Sequence, residues 1–154
     1  TEISNLNAPG QTVISGPSEA IEKAVTLATE RGARRAITLP VSGAFHSQLM
    51  KPAQEGLDMA INDVVLNDPA IPIVANSTGL PLTNREEVKQ ELSDSLCSPV
   101  KWRGSVRYMV EAAGVQRIFE IGPGKALSGM VNRISPDTEV VNIEVLENIN
   151  SLAQ

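Results

Sequence analysis

An α/β fold is predicted for this 154-residue chain from three observations. Apolar stripes at helical spacing alternate with short β-rich runs along most of its length. Gly and Pro mark several of the junctions between them. Hydrophobic residues make up 42% of the chain and charged residues 20%, the balance of a globular domain with a core. Helix–strand alternation of this kind argues a parallel sheet with helices packed on it.

The elements follow in order. Residues 3–6 and 12–15 are short apolar stretches separated by Asn7-Ala8-Pro9-Gly10, which predicts a β-hairpin. Gly16-Pro17-Ser18-Glu19 is a helix-entry signal. Ile21, Ala24, Val25 and Ala28 then recur at helical spacing, with Gly32 placed to end the helix. Residues 36–39, Ala-Ile-Thr-Leu, read as a strand that runs into Pro40. A ββαβ unit is therefore expected over the first 40 residues. Leu49, Ala53, Leu57, Ala60, Ile61 and Val64 make the next helical stripe, and Pro52 confines its start to about Gln48. Residues 71–75 predict a short strand and 84–96 a charged helix. Trp102, Val106, Met109, Val110 and Ala113 form another stripe, closed by Gly114. A strand over 117–121, a helix from Ala126 and a last strand over 139–143 complete the pattern.

Composition excludes several function classes. The net charge is −5, with four aromatic residues: Phe45, Trp102, Tyr108 and Phe119. Such a chain lacks the basic stripes and stacking platforms of a nucleic-acid binder. Its apolar runs are too short to span a bilayer, and no secretory signal opens it. One cysteine, Cys97, and one histidine, His46, leave neither an internal disulfide nor a Cys- or His-clustered metal site. A cytoplasmic, metal-free protein without nucleic-acid or membrane partners is the expectation. Thr1 is not a methionine, and residues 2–6 read as the middle of a strand. The chain is thus expected to be a piece of something longer, a trimmed or processed N-terminus being the alternative.

Few constellations suggest chemistry. Gly122-Pro123-Gly124-Lys125 fails the phosphate-loop spacing and the dinucleotide fingerprint, and reads as a tight strand-to-helix turn whose N–H groups could still receive an anion. Arg31, Arg34 and Arg35 form a basic cluster in an acidic chain, either a solvated surface or a guide for an acidic partner. Cys97 reads as a buried structural thiol. His46 stands in Val41-Ser42-Gly43-Ala44-Phe45-His46-Ser47, between a strand exit and a helix entry, where side chains face the crevice at the strand ends. A neutral imidazole there can take a proton from a hydroxyl nucleophile. A lone loop histidine reads equally as a surface or capping residue, and no Gly-x-Ser-x-Gly elbow accompanies it.

Six stretches, in order, are similar to the malonyl-CoA:acyl-carrier-protein transacylase family. They run from Asn5-Leu6-Asn7-Ala8-Pro9-Gly10-Gln11-Thr12-Val13-Ile14-Ser15-Gly16 through Gly32-Ala33-Arg34-Arg35-Ala36 to Leu39-Pro40-Val41-Ser42-Gly43-Ala44-Phe45-His46-Ser47. Leu49-Met50-Lys51-Pro52-Ala53, Ser98-Pro99-Val100-Lys101-Trp102 and Glu120-Ile121-Gly122-Pro123-Gly124-Lys125-Ala126-Leu127 follow. The resemblance covers the whole chain but only the C-terminal half of the family's catalytic unit. The nucleophilic serine, the arginine that pairs with the malonyl carboxylate and the oxyanion loop belong to the other half.

The resemblance implies the following. His46 matches the family's catalytic histidine, and Asn7 an asparagine near the cleft. The histidine is oriented by a backbone carbonyl near Ser95, where family members often have glutamine. Phe45 stands where malonyl-selecting relatives carry phenylalanine. Malonyl-CoA is a substrate, no cofactor is needed, and acyl carrier protein is the partner. Arg31, Arg34, Arg35 and Lys51 are its candidate docking residues. Residues 1–40 would be part of a ferredoxin-like small subdomain, and 41–154 part of a hydrolase-like α/β core. The alternatives are an acyltransferase domain of a polyketide synthase and a non-catalytic carrier-binding module of the same fold.

Overall fold

A computed structural model describes residues 1–152. The hairpin forms as expected: β1 (Glu2–Ala8) pairs antiparallel with β2 (Gln11–Ser15) around Pro9 and Gly10. Register shifts leave Ser4 and Asn7 without Cα partners on β2. Bulges of this kind bend a strand and re-aim side chains. The other edge of β1 meets the chain at Val100: the amide of Leu6 donates to the Val100 carbonyl and that of Val100 to Ser4, both at 2.8 Å.

Helix α1 (Ser18–Glu30) follows. Gly32, at φ 86°, ends it: the Gly32 amide bonds Thr29 and that of Ala33 reaches back to Ala28. A left-handed residue after the last turn lets these carbonyls be satisfied.

Residues 36–39 do not form the expected strand, so the first 40 residues are ββα rather than ββαβ. Ile37 and Leu39 stay about half exposed. β-propensity makes a strand only where a ladder partner exists, and among the described residues 36–39 pair with none.

A 3₁₀ turn (Gln48–Met50) leads into α2 (Lys51–Asn62), with Pro52 in its first turn. The strand predicted at 71–75 shortens to β3 (Ile73–Val74), paired with β4 (Pro81–Leu82), a strand that sequence reading passes over. Pro72 has no amide to extend the ladder. Asn84 caps α3 (Arg85–Ser95) by accepting from the Glu87 amide at 3.0 Å.

Helix α4 (Trp102–Arg107) widens into a π turn (Tyr108–Ala112) and stops at Gly114, φ 70°. Strand β5 (Arg117–Ile121), α5 (Ala126–Ile134) and β6 (Glu139–Ile143) make the one parallel pair among the described residues. α6 (Leu146–Leu152) ends the described chain. The expected parallel sheet is thus present as this single βαβ unit.

Val106, Val131, Ala75 and Ala8 form the driest part of the core, where α4 and α5 meet each other and β1. Helix α2 packs on α3 through buried Ile61 and a polar chain. Lys51 Nζ donates to Gln54 Oε1 at 2.7 Å, Gln54 Nε2 reaches the Ser93 carbonyl at 3.1 Å, and Ser93 Oγ donates to Asp58 at 2.6 Å. This fixes the end of α3, which the site needs. Among the described residues, no helix is long and apolar enough to cross a membrane.

Candidate active site

His46 is held in a conformation that its side chain disfavours. Its φ is 60°, the one non-glycine positive φ among the described residues. Left-handed backbone costs an L-residue roughly 1–2 kcal/mol, although histidine visits it more readily than most. Two bonds from the end of α3 hold it there. The His46 amide donates to the Leu96 carbonyl at 3.0 Å. The ring Nδ1 lies 2.7 Å from the Ser95 carbonyl oxygen.

That second contact assigns the tautomer. A carbonyl oxygen only accepts, so Nδ1 carries the hydrogen and donates it. In the neutral ring Nε2 then bears the lone pair, the form able to receive a proton. His46 is half-buried.

The loop around it is anchored from several sides. Ser15 Oγ at the end of β2 donates to the Phe45 carbonyl at 3.0 Å, and Ser47 Oγ donates to the Ala44 carbonyl at 2.6 Å. The Gln48 amide, at the start of the 3₁₀ turn, donates to Glu2 Oε2 at 3.1 Å. Hydroxyl-to-backbone bonds of this kind shape turns locally. Sequence reading had no reason to single out Glu2, Ser15 or Gln48, because each acts across the tertiary fold. Ser47 is different, since a serine beside a turn is itself a readable signal.

The other expected site residues fall in distinct places. Ser95 is brought to His46, by its backbone alone. Phe45 adjoins the histidine, 47% exposed, with its ring over Gly43. A Cβ at Gly43 would come within 3.0 Å of Phe45 Cε2. Asn7 sits at the second bulge of β1, toward the opposite end of that strand from Glu2, which touches the histidine loop. Arg31, Arg34 and Arg35 are exposed at and beyond the end of α1. Lys51 opens α2 and is engaged with Gln54. Cys97 is buried, as expected.

The start of α5 is the tight strand-to-helix turn expected there, and the place its N–H groups could have offered an anion is taken. Glu120, on β5, accepts from the amides of Leu127 and Ser128 at 3.0 and 2.8 Å, from Ser128 Oγ, and from Asn142 Nδ2 at 3.0 Å. The Gly124 amide donates to Glu144 at 3.2 Å. Two carboxylates satisfy and repel where a phosphate would sit, so this turn is structural. The hydroxyl of Ser128, then the two amides and Asn142, hold the Glu120 carboxyl below its usual pKa range.

The chain is similar to known proteins over nearly its whole length. The acyl transferase domain family matches residues 3–146. The malonyl CoA-acyl carrier protein transacylase of Bacillus subtilis is 40% identical over 153 residues, which is 99% of this chain and 48% of that protein. The Escherichia coli K12 enzyme of the same description is 42% identical over 130 residues, 84% of this chain and 42% of its own. A solved acyl-carrier-protein S-malonyltransferase from Vibrio cholerae superposes with a TM-score of 0.93 at 38% identity, covering 98% of this chain and 49% of that one. A malonyl-transacylase in complex with its type II PKS acyl-carrier protein gives 0.92 at 34%, covering 98% of this chain and 49% of that one. The chain spans about half the length of the relatives it matches. It belongs to the acyl transferase domain family, in which these relatives are malonyl-CoA:acyl-carrier-protein transacylases.

Proposed function

We propose that the protein carrying this chain transfers a malonyl group from coenzyme A to the phosphopantetheine thiol of acyl carrier protein, in fatty-acid biosynthesis. His46 is its general base, and the nucleophilic serine comes from the half of the fold that this chain does not contain. The observation that carries the reading is the 2.7 Å bond from Nδ1 to the Ser95 carbonyl, which leaves Nε2 as the basic atom.

The chemistry then runs in two symmetric halves. Nε2 takes the serine proton as the serine oxygen forms a bond to the thioester carbon. The tetrahedral intermediate collapses, the carbon–sulfur bond breaks, and the imidazolium returns the proton to the departing coenzyme A thiolate. The carrier thiol next gives its proton to Nε2 and attacks the acyl-serine. The serine alkoxide leaves and recovers that proton. Ser95 needs only its backbone for this, and Asn7 would meet substrate from its bulge. Residues 1–40 and 41–154 would serve as parts of a ferredoxin-like subdomain and a hydrolase-like core, 153 and 154 lying outside the described residues. Without a serine elbow this chain alone would transfer nothing.

Malonyl transfer by the full-length protein, wild type against His46→Ala, tests the reading. A fall of about 10²–10⁴-fold in kcat is expected for loss of a general base. Undiminished transfer by the variant would overturn His46 as the base, and no transfer by the wild-type protein would favour a non-catalytic carrier-binding module. Supplying fatty-acid and polyketide carriers in the same assay separates the fatty-acid enzyme from a polyketide one.

A further inference from the structure

Resting on that reading, we infer that Ser47 is a positioning residue for His46: its hydroxyl locks the turn that keeps the histidine left-handed and Nδ1 on the Ser95 carbonyl. His46, at φ 60°, lies in a bend at residues 46–47 just before the 3₁₀ segment, and such a backbone persists only where its surroundings hold it. The Ala44 carbonyl, before the bend, accepts from Ser47 Oγ at 2.6 Å. Ser47 is only 1% exposed, so water cannot readily enter in place of its hydroxyl, whose loss deprives the part-buried Ala44 carbonyl of this donor. The Ser47 carbonyl meanwhile accepts from the Met50 amide at 3.0 Å, which joins the turn rigidly to the 3₁₀ segment ahead of α2.

Two forces meet at His46. The bonds to Leu96 and Ser95 pull it toward the end of α3, and the left-handed backbone resists. Ser47 holds the turn shut against that resistance. Once the hydroxyl is gone, the backbone relaxes toward negative φ, the Nδ1 bond is lost, and both ring tautomers become populated. A neutral ring with its hydrogen on Nε2 presents that hydrogen, not a lone pair, to the serine.

The test uses the full-length protein, with Ser47→Ala and Ser47→Cys beside wild type. Malonyl transfer is measured with nitrogen spectra of labelled histidine, the His46 signals being assigned by their loss in His46→Ala. Ser47→Ala is expected to lower kcat about 10–100-fold, as misplacement of a catalytic group does, with KM within about twofold. It should also bring in the tautomer with hydrogen on Nε2. Ser47→Cys, a weaker donor of similar size, should fall between the two, and it decides the matter if Ser47→Ala does not fold. A folded Ser47 variant with wild-type kcat and an unchanged tautomer would overturn the inference. So would a loss of activity that tracks only the melting temperature while the spectrum stays constant. If His46→Ala retains transfer, the catalytic reading fails, and the tautomer spectra still judge Ser47 by themselves.

Discussion

His46 and Ser95 meet through the backbone of one and the ring of the other. Nδ1 lies 2.7 Å from the Ser95 carbonyl oxygen, while Ser95 Oγ turns back to the Leu92 carbonyl at 3.0 Å. The side chain therefore contributes nothing to the ring's orientation. Ser95→Ala and Ser95→Gln are expected to keep malonyl-transfer kcat within about threefold of wild type, or roughly 0.7 kcal/mol. A loss as large as that of His46→Ala, in a variant with unchanged melting temperature, would show that the side chain takes part.

Glu120 gives the fold a defined response to acid. Ser128 Oγ, the amides of Leu127 and Ser128, and Asn142 all donate to its carboxylate and hold its pKa below the ordinary 4.5. A carboxyl depressed in the folded state stabilises that state above the unfolded pKa, and the contribution is lost as pH falls through the folded value. Glu120→Gln should therefore melt below wild type at pH 7, and the gap should narrow as the pH drops under 4.5. A gap that stayed constant from pH 7 to pH 3 would mean that the charge is not what holds the start of α5. Glu87, whose carboxyl is lowered mainly by the Thr83 amide and hydroxyl, titrates in the same direction and sets the background slope.

Much of this architecture was legible because local signals and tertiary contacts agreed. The Pro9-Gly10 turn and the glycine after α1 each form the element that their chemistry suggests. The contact of His46 with the Ser95 carbonyl was expected only through the family resemblance that the Ala-Phe-His-Ser and Ser-Pro-Val-Lys-Trp motifs carry. What escaped depends on partners distant in sequence. Residues 36–39 have β-propensity and no ladder, whereas Pro81 and Leu82 lack strong propensity and gain a strand from Ile73 and Val74. The Gly122–Lys125 turn looked open to an anion because nothing local shows that Glu120, behind it on β5, fills the helix start. The left-handed backbone of His46 likewise follows from bonds to residues about fifty positions away.

Arg34 and Arg35 are the sharper carrier-docking candidates. Both are exposed beyond α1, and an acidic carrier meeting a chain of net charge −5 needs a local positive patch. Arg31 caps α1, where a cation also suits the helix dipole, and Lys51 is committed to Gln54. Arg34→Glu with Arg35→Glu should lower kcat/KM for the carrier several-fold at low salt and by less at high salt, while formation of the acyl-enzyme from malonyl-CoA is unchanged. Equal carrier kinetics at low salt would remove these residues from the interface.

Phe45 sets up a test of acyl choice. Its ring lies over Gly43 and is half exposed, so it is available as a wall beside the histidine. A wall that excludes an α-methyl is worth about 1–3 kcal/mol. Phe45→Ser is expected to shift the methylmalonyl-to-malonyl ratio of kcat/KM upward by about tenfold, at the low end of that range. A variant that gains no methylmalonyl turnover would leave the ring with a packing role.

The apolar surface makes a prediction about the chain by itself. Ile121 is 78% exposed and Val65 88%, and Phe119, Ile37, Leu39 and Val41 are each about half exposed or more. On β5, Phe119 and Ile121 share the face turned away from Ile118 and Glu120, by the two-residue period of a strand. Both strands of the β5–β6 pair also keep an outer edge with no partner among the described residues. Contiguous apolar faces and open strand edges of this kind promote association. Residues 1–154 expressed alone are therefore expected to self-associate and to bind a hydrophobic dye strongly, and co-expression with the remaining half of the fold should suppress both. A monodisperse monomer with a cooperative melt and little dye binding would show that these faces are stable in water and that the chain needs no partner to cover them.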